Sequence, residues 1–193
     1  MNIDYSKYYW RNSLVALRQP LESDWEMVIH NMYDSESRFL FVDEIELPIE
    51  IESFKKNFVE DITQSKDYLR FAITNHEGSH VGIAHVFGID EKNGVFGPIG
   101  IQINPLDRGK GYATAVYRML GKYMFSERRM HKWNSEYLEE NESSEHLHKK
   151  IGFSIEGIRK DMSFHKGRYW NLVLAGITEH QFYENEPLLS KLS

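Results

Sequence analysis

A glycine-bearing loop set between a strand and a helix constrains this chain more than any other feature. Residues 99–104 read as a strand, and from Tyr112 onward Ala113, Val116, Tyr117, Leu120 and Met124 share one helical face. Between the two stand Arg108, Gly109, Lys110 and Gly111. The first N–H groups of such a helix lack carbonyl partners and the helix dipole is positive there, so an anion is favoured. Gly109 and Gly111 let the backbone approach a ligand closely, and Arg108 and Lys110 bring positive charge to the same point. A pyrophosphate fits this chemistry, resting on the backbone amides of Gly109, Lys110, Gly111, Tyr112, Ala113 and Thr114. The plainer reading of the same hexapeptide is a glycine turn with solvated charges.

Two other phosphate motifs fail on inspection. The P-loop needs GxxxxGK followed by Ser or Thr, which this chain does not contain. The dinucleotide fingerprint needs a small residue where Thr114 stands, inside a parallel βαβ unit. Here the loop follows what reads as an antiparallel meander, residues 68–104, with turns at 75–79 and 91–94.

Upstream, residues 13–20 read as a strand ending at Pro20, and Ser23 with Glu26 forms an apparent capping box before a helix over 24–33. A second helix is predicted from Pro48, with Ile51, Phe54, Phe58 and Ile62 on one face. Downstream, residues 132–138 read as a strand, Asn141 as the N-cap of a short helix and Gly152 as its stop. A hairpin turning at Lys166 and Gly167 closes the pattern.

With 193 residues, 41% hydrophobic and 27% charged, the chain is expected to form one domain over 1–193, with a core of about 13–183. The absence of cysteine excludes disulfides, thiolate-bound metals and cysteine nucleophiles. A net charge of -6 argues against nucleic-acid binding. No long apolar run suggests a leader or a membrane span, so the expectation is a soluble cytoplasmic protein. His146 and His148 lie two apart on a helix and face different ways, so no metal site is expected.

Arg108, Gly111 and Ala113, in their strand–loop–helix setting, resemble the coenzyme A pyrophosphate loop of the GNAT acetyltransferase superfamily. Residues 141–157 are similar to the family's Asn, short helix, Gly-Phe pair and Gly. Residues 164–174 resemble the closing hairpin of its RimJ/RimL and spermidine acetyltransferase branches. The resemblance implies an α/β (α+β) fold, a mixed central sheet flanked by helices whose fourth strand, near 99–104, splays from the fifth, near 133–138. It implies acetyl-coenzyme A as cosubstrate, with the pantetheine arm in that gap. Ile101, Gln102 and Ile103 would then line the arm and supply the N–H that polarises the thioester. Asn141 inherits a contact to the pantetheine or acetyl end, its alternative being a simple N-cap.

Two positions depart from the family pattern. His148 stands where the family usually carries a Tyr that protonates the departing thiolate, and an imidazolium is the stronger acid of the two. The alternative is a surface histidine on a polar helix. Pro98 stands where relatives often carry a Glu base, which leaves Glu136, acting through water, or water alone.

Residues 34–61 hold nine acidic against three basic residues, an imbalance equal to the net charge of the whole chain. In the resembling enzymes that segment borders the acceptor, so its carboxylates point to a small cationic amine such as a polyamine or aminoglycoside. A protein N-terminal acetyltransferase and a noncatalytic acyl-coenzyme A sensor are the alternatives. A homo-oligomer is compatible with all three.

Overall fold

The computed structural model describes residues 7–40, 47–61 and 67–189. The chain runs β1 (Val15–Arg18), α1 (Trp25–Met32), α2 (Ser35–Phe39), α3 (Ile51–Asp61), β2 (Leu69–Asn75), β3 (His80–Val86), β4 (Val95–Phe96) and β5 (Ile99–Ile103). It continues with α4 (Tyr112–Lys122), β6 (Lys132–Leu138), α5 (Glu142–Ile151), β7 (Ser154–His165), β8 (Arg168–Thr178) and α6 (Glu179–Leu189). The strands form two four-stranded sheets, β1-β2-β3-β5 and β4-β6-β8-β7. Every strand pair is antiparallel except β4 with β6, so the architecture is the mixed, helix-flanked one expected.

What reads in the sequence as one strand through 95–104 is two strands in different sheets. Pro98 has no N–H to continue a ladder, and Gly97 holds φ +106°. A Cβ on Gly97 would collide with the carbonyl oxygen of Asn134, so β4 and β6 touch backbone to backbone at this point. Beyond it, β5 departs to pair with β3 while β6 stays with β8, and a fork opens between them.

The main core lies between the sheets and α4, where Val116, Leu120 and Met124 pack with Leu17, Ile73, Val86, Phe96, Trp133 and Ile177. This is the helical face the periodicity predicts. On the opposite face of the first sheet, α1 and α3 cover a smaller cluster of Val28, Phe58 and Ile83.

Several local expectations change. The Ser23–Glu26 capping box does not form, because a turn of 3-10 helix over Glu22–Asp24 precedes α1 and brings Asp24 inward instead. The Asp24 carboxylate accepts from Leu21 N–H at 2.8 Å and from both terminal nitrogens of Arg18 at 2.7 and 2.8 Å. Helix α3 begins at Ile51 rather than Pro48, since the Glu50 carboxylate accepts from the N–H groups of Glu52 and Ser53 at 3.0 and 2.7 Å. Ile62 lies outside the described residues. Helix α6 was not predicted; Phe182 on it is fully buried. Asn141 does cap α5, Gly152 ends it at φ +103°, and Lys166 and Gly167 both turn the last hairpin with positive φ. Among the described residues, no helix is long and apolar enough to cross a membrane.

Candidate active site

The fork between β5 and β6 exposes backbone on its β5 side. Asn104 N–H donates to Val81 C=O, and Phe87 N–H to Pro98 C=O, both at 3.0 Å. Inward and outward groups alternate along an antiparallel ladder. Gly100 and Gln102 therefore direct their backbone groups to β3, while Ile99, Ile101 and Ile103 direct theirs to the open edge. Two contacts agree with this register: Tyr117 Oη donates to Ile99 C=O at 2.7 Å and Arg108 Nε to Ile103 C=O at 3.1 Å. Ile101, between them, and the N–H of Ile103 face the fork. Gln102 does not share that position. Its backbone belongs to the β3 ladder and its side chain is buried on the face covered by α1 and α3.

The loop before α4 has the conformation that the glycines allow. Gly109 and Gly111 sit at φ +76° and +83°, and Gly111 is the helix N-cap without a side-chain cap. A Cβ on Gly109 would meet nothing within 4 Å, so the loop is open on that side. The N–H groups of Tyr112, Ala113 and Thr114 occupy the first turn, which has no intrahelical acceptors for them. The flanking cations are less free than the sequence suggests. Besides Ile103, Arg108 donates to Ser37 Oγ at 2.9 Å and lies 3.6 Å from the Asp34 carboxylate, tying the loop to α2. Lys110 Nζ donates to Asp107 at 2.7 Å.

His148 is a buried residue, 3% exposed, and not a surface one. Its Nδ1 lies 2.7 Å from the Ser144 carbonyl, so it donates there, and Nε2 at 2.7 Å then accepts from the Ser135 hydroxyl. The ring packs among Tyr117, Tyr137 and Phe153. Burial holds its pKa below the usual value, only partly offset by the Ser144 hydrogen bond. The imidazolium invoked from the family's Tyr is thus the disfavoured form at neutral pH.

Ser135 is a site neighbour that sequence reasoning missed. The alternation along β6 signals it, since Trp133, Ser135 and Tyr137 are buried while Asn134 and Glu136 are exposed. By the same alternation Glu136 lies on the opposite face of β6 from Ser135 and His148, so one site face does not hold both expected catalytic groups. Asn141 Oδ1 accepts from Ser144 N–H at 3.0 Å as an N-cap, which leaves Nδ2 as its other polar group.

Some carboxylates of the acidic segment are engaged. Asp34 caps α2, and its pKa is lowered chiefly by the Ser37 hydrogen bonds, with Arg108 beside it. Glu36 pairs with Lys166, and Glu60 lies 3.9 Å from Lys56. Asp43, Glu44 and Glu46 lie outside the described residues.

A family model described as an acetyltransferase (GNAT) domain matches residues 15–154. The SPbeta prophage-derived uncharacterized N-acetyltransferase YokL of Bacillus subtilis (strain 168) is 30% identical over 177 residues, 92% of this chain and 97% of that protein. Spermidine N(1)-acetyltransferase of Escherichia coli (strain K12) is 26% identical over 170 residues, 87% of this chain and 88% of its own. The crystal structure of spermidine N-acetyltransferase from Vibrio cholerae in complex with CoA and spermine matches the fold with a TM-score of 0.78 at 21% identity, covering 89% of this chain and 99% of that one. With the forked sheet, the glycine loop at α4 and a match across most of its length, this chain belongs to the GNAT acetyltransferase family and is an N-acetyltransferase.

Proposed function

We propose that the protein takes an acetyl group from acetyl-coenzyme A and passes it to a primary amine within the fork between β5 and β6. The observation that carries this reading is the outward backbone of Ile101 and Ile103, one loop away from the unpaired amides of α4. A ligand with a pyrophosphate at one end and a thioester at the other matches both features. In this reading the amine nitrogen bonds to the thioester carbonyl carbon while Ile101 N–H stabilises the charge developing on the carbonyl oxygen. The C–S bond breaks and the thiolate takes up a proton from water. Ser135, whose hydroxyl is held by His148, lines the sulfur side, and Asn141 Nδ2 meets the pantetheine arm. Glu136, across β6, takes the proton released by the amine through water.

A polyamine acceptor is the second reading. It is favoured by the 26% identity to an enzyme named for spermidine. The carboxylates of Asp34 and Glu36, paired with Arg108 and Lys166, weigh on the other side.

Ile101→Pro tests the carrying observation. Because this N–H faces outward from an edge strand, its loss spares the β3 ladder. With a panel of amines and coenzyme A release as readout, kcat is expected to fall by about 10² to 10³, as when an oxyanion donor is removed, with coenzyme affinity held. An unchanged kcat would remove Ile101 from the reaction. Absence of coenzyme A release with every amine of the panel would favour the noncatalytic reading.

A further inference from the structure

On the face of the first sheet away from α4, under α1 and α3, lies a cavity of about 290 Å³. Val28, Phe54, Phe58, Ala72 and Ile83 give it largely apolar walls. Gln102 closes it on the β5 side. This residue is 5% exposed, and among the described residues neither its Oε1 nor its Nε2 has a hydrogen-bond partner. A buried amide left unpaired forfeits its hydrogen bonds to water without replacement, a cost that a bound partner relieves. Gln102 also sits between Ile101 and Ile103 on the edge strand, so the cavity backs onto the strand whose other side faces the fork.

The cavity is unsuited to a polycation. Asp24, the carboxylate among its described lining residues, already accepts from Arg18 at 2.7 and 2.8 Å and lies 3.1 Å from His80 Nδ1. Arg70 adds a positive charge to the wall, and His85, its pKa pushed down to about 3 by burial and then by Arg70, adds none at neutral pH. An ammonium placed there would be desolvated without a free counter-charge. The volume is about twice the ~150 Å³ apolar cavity that accommodates benzene, which suits a phenylalkyl or bicyclic group.

We propose that this cavity receives the non-reacting end of the acceptor, and that this end is uncharged and mainly apolar with one carboxamide or hydroxyl that pairs with the Gln102 amide. The acceptor class is then an aryl- or alkyl-substituted primary amine, not a polyamine. This rests on the acetyl-transfer reading above.

The test uses 3-phenylpropanamide, which lacks an amine and cannot be acetylated, with 2-phenylethylamine and spermidine as acceptors. The amide is expected to bind the coenzyme-free protein in an NMR titration and to inhibit acetylation of 2-phenylethylamine competitively. Gln102→Met should weaken its binding about tenfold while melting no lower than wild type, since it removes an unpaired buried amide. Ala72→Leu, which fills the cavity, should abolish binding; if that variant does not fold, Gln102→Met and the wild-type competition decide the matter. Absence of amide binding while spermidine is acetylated overturns the cavity proposal and leaves the acetyl-transfer reading standing. Binding without competition places the cavity outside the acceptor site and also overturns it. If no amine supports coenzyme A release, the acetyl-transfer reading itself fails and the proposal with it.

Discussion

The two sides of the fork are built on opposite terms. On the side of α4 and α5, His148 is bonded at both ring nitrogens and Tyr117 holds Ile99 C=O at 2.7 Å, although Trp133 Nε1 is buried there with no partner among the described residues. On the side of α1 and α3, Gln102 is buried with neither amide atom partnered among the described residues. A completed network holds one geometry, whereas an incomplete one carries a standing cost that a ligand can relieve. Under the two proposals above, the contrast separates a side that positions groups for reaction from a side that selects what reacts.

The largest expected effect breaks the completed side. His148→Ala frees the Ser135 hydroxyl and opens a void, and kcat is expected to fall by about 10² to 10⁴, the range for a positioned proton-transfer group. His148→Tyr, which restores the residue usual in the family, should recover part of that loss. Because burial holds the imidazole pKa down, protonation of His148 should appear in the kcat profile below the ordinary histidine range. A wild-type kcat for His148→Ala, with chemistry shown to be limiting by single-turnover kinetics, would reduce the pair to packing.

How much of this could be read in advance depends on how local each signal is. The loop, the Asn141 cap and the Gly152 stop are set by neighbouring residues and backbone sterics, and they are legible. The break at Gly97 and Pro98 is not legible because both halves are strand; only the approach to Asn134, from far along the chain, separates them. His148 sits on a helix with charged neighbours, and its burial is decided by distant residues, Tyr117 and Tyr137 packing on the ring and Ser135 of β6 meeting Nε2. Gln102 carried a signal that went unused as such, a polar side chain within the apolar run of 99–103. The cavity it faces comes from how α1 and α3 settle on the sheet, which no local pattern encodes.

A middle-sized effect sharpens the other side. His85 is 6% exposed beside the cavity, hydrogen-bonded at Nδ1 by the Tyr68 hydroxyl, with a pKa of about 3. In the unfolded chain a histidine titrates near 6.5, so below that pH the unfolded state binds a proton that the folded state refuses. Stability is therefore retained above about pH 6.5 and lost as pH falls toward the folded pKa, with a slope approaching ~1.4 kcal/mol per pH unit. The clean window is about pH 6.5 to 4.5, above the range where carboxylates titrate. His148 and His80, whose pKa values are also lowered by burial, act in the same direction, so the His85 share must be read by difference. Urea denaturation of His85→Leu across that window should give a shallower dependence than wild type. Parallel curves would show that His85 is not buried in its neutral form.

The smallest expected effect concerns charge, and it decides between an apolar and a polycationic acceptor. Residues 34–61 hold an acidic excess that equals the net charge of the chain, and alone it would steer polyamines into the fork. In the folded chain Asp34 faces Arg108, Glu36 faces Lys166, and Glu50 is occupied by the N-terminus of α3. Exposed pairs of this kind contribute little to stability, but the two cations offset part of the field that a distant cation would feel. Electrostatic steering can raise association rates by about 10 to 10³ and falls steeply with ionic strength. Here, raising salt from about 0.05 to about 0.5 M shortens the screening length to a few ångströms, yet kcat/KM for the best acceptor should change by less than about threefold. The same titration with spermidine provides the contrast. A drop of tenfold or more in kcat/KM, confined to the acceptor and absent from acetyl-coenzyme A, would mean that unpaired carboxylates do draw the substrate, and the polyamine reading would replace the apolar one.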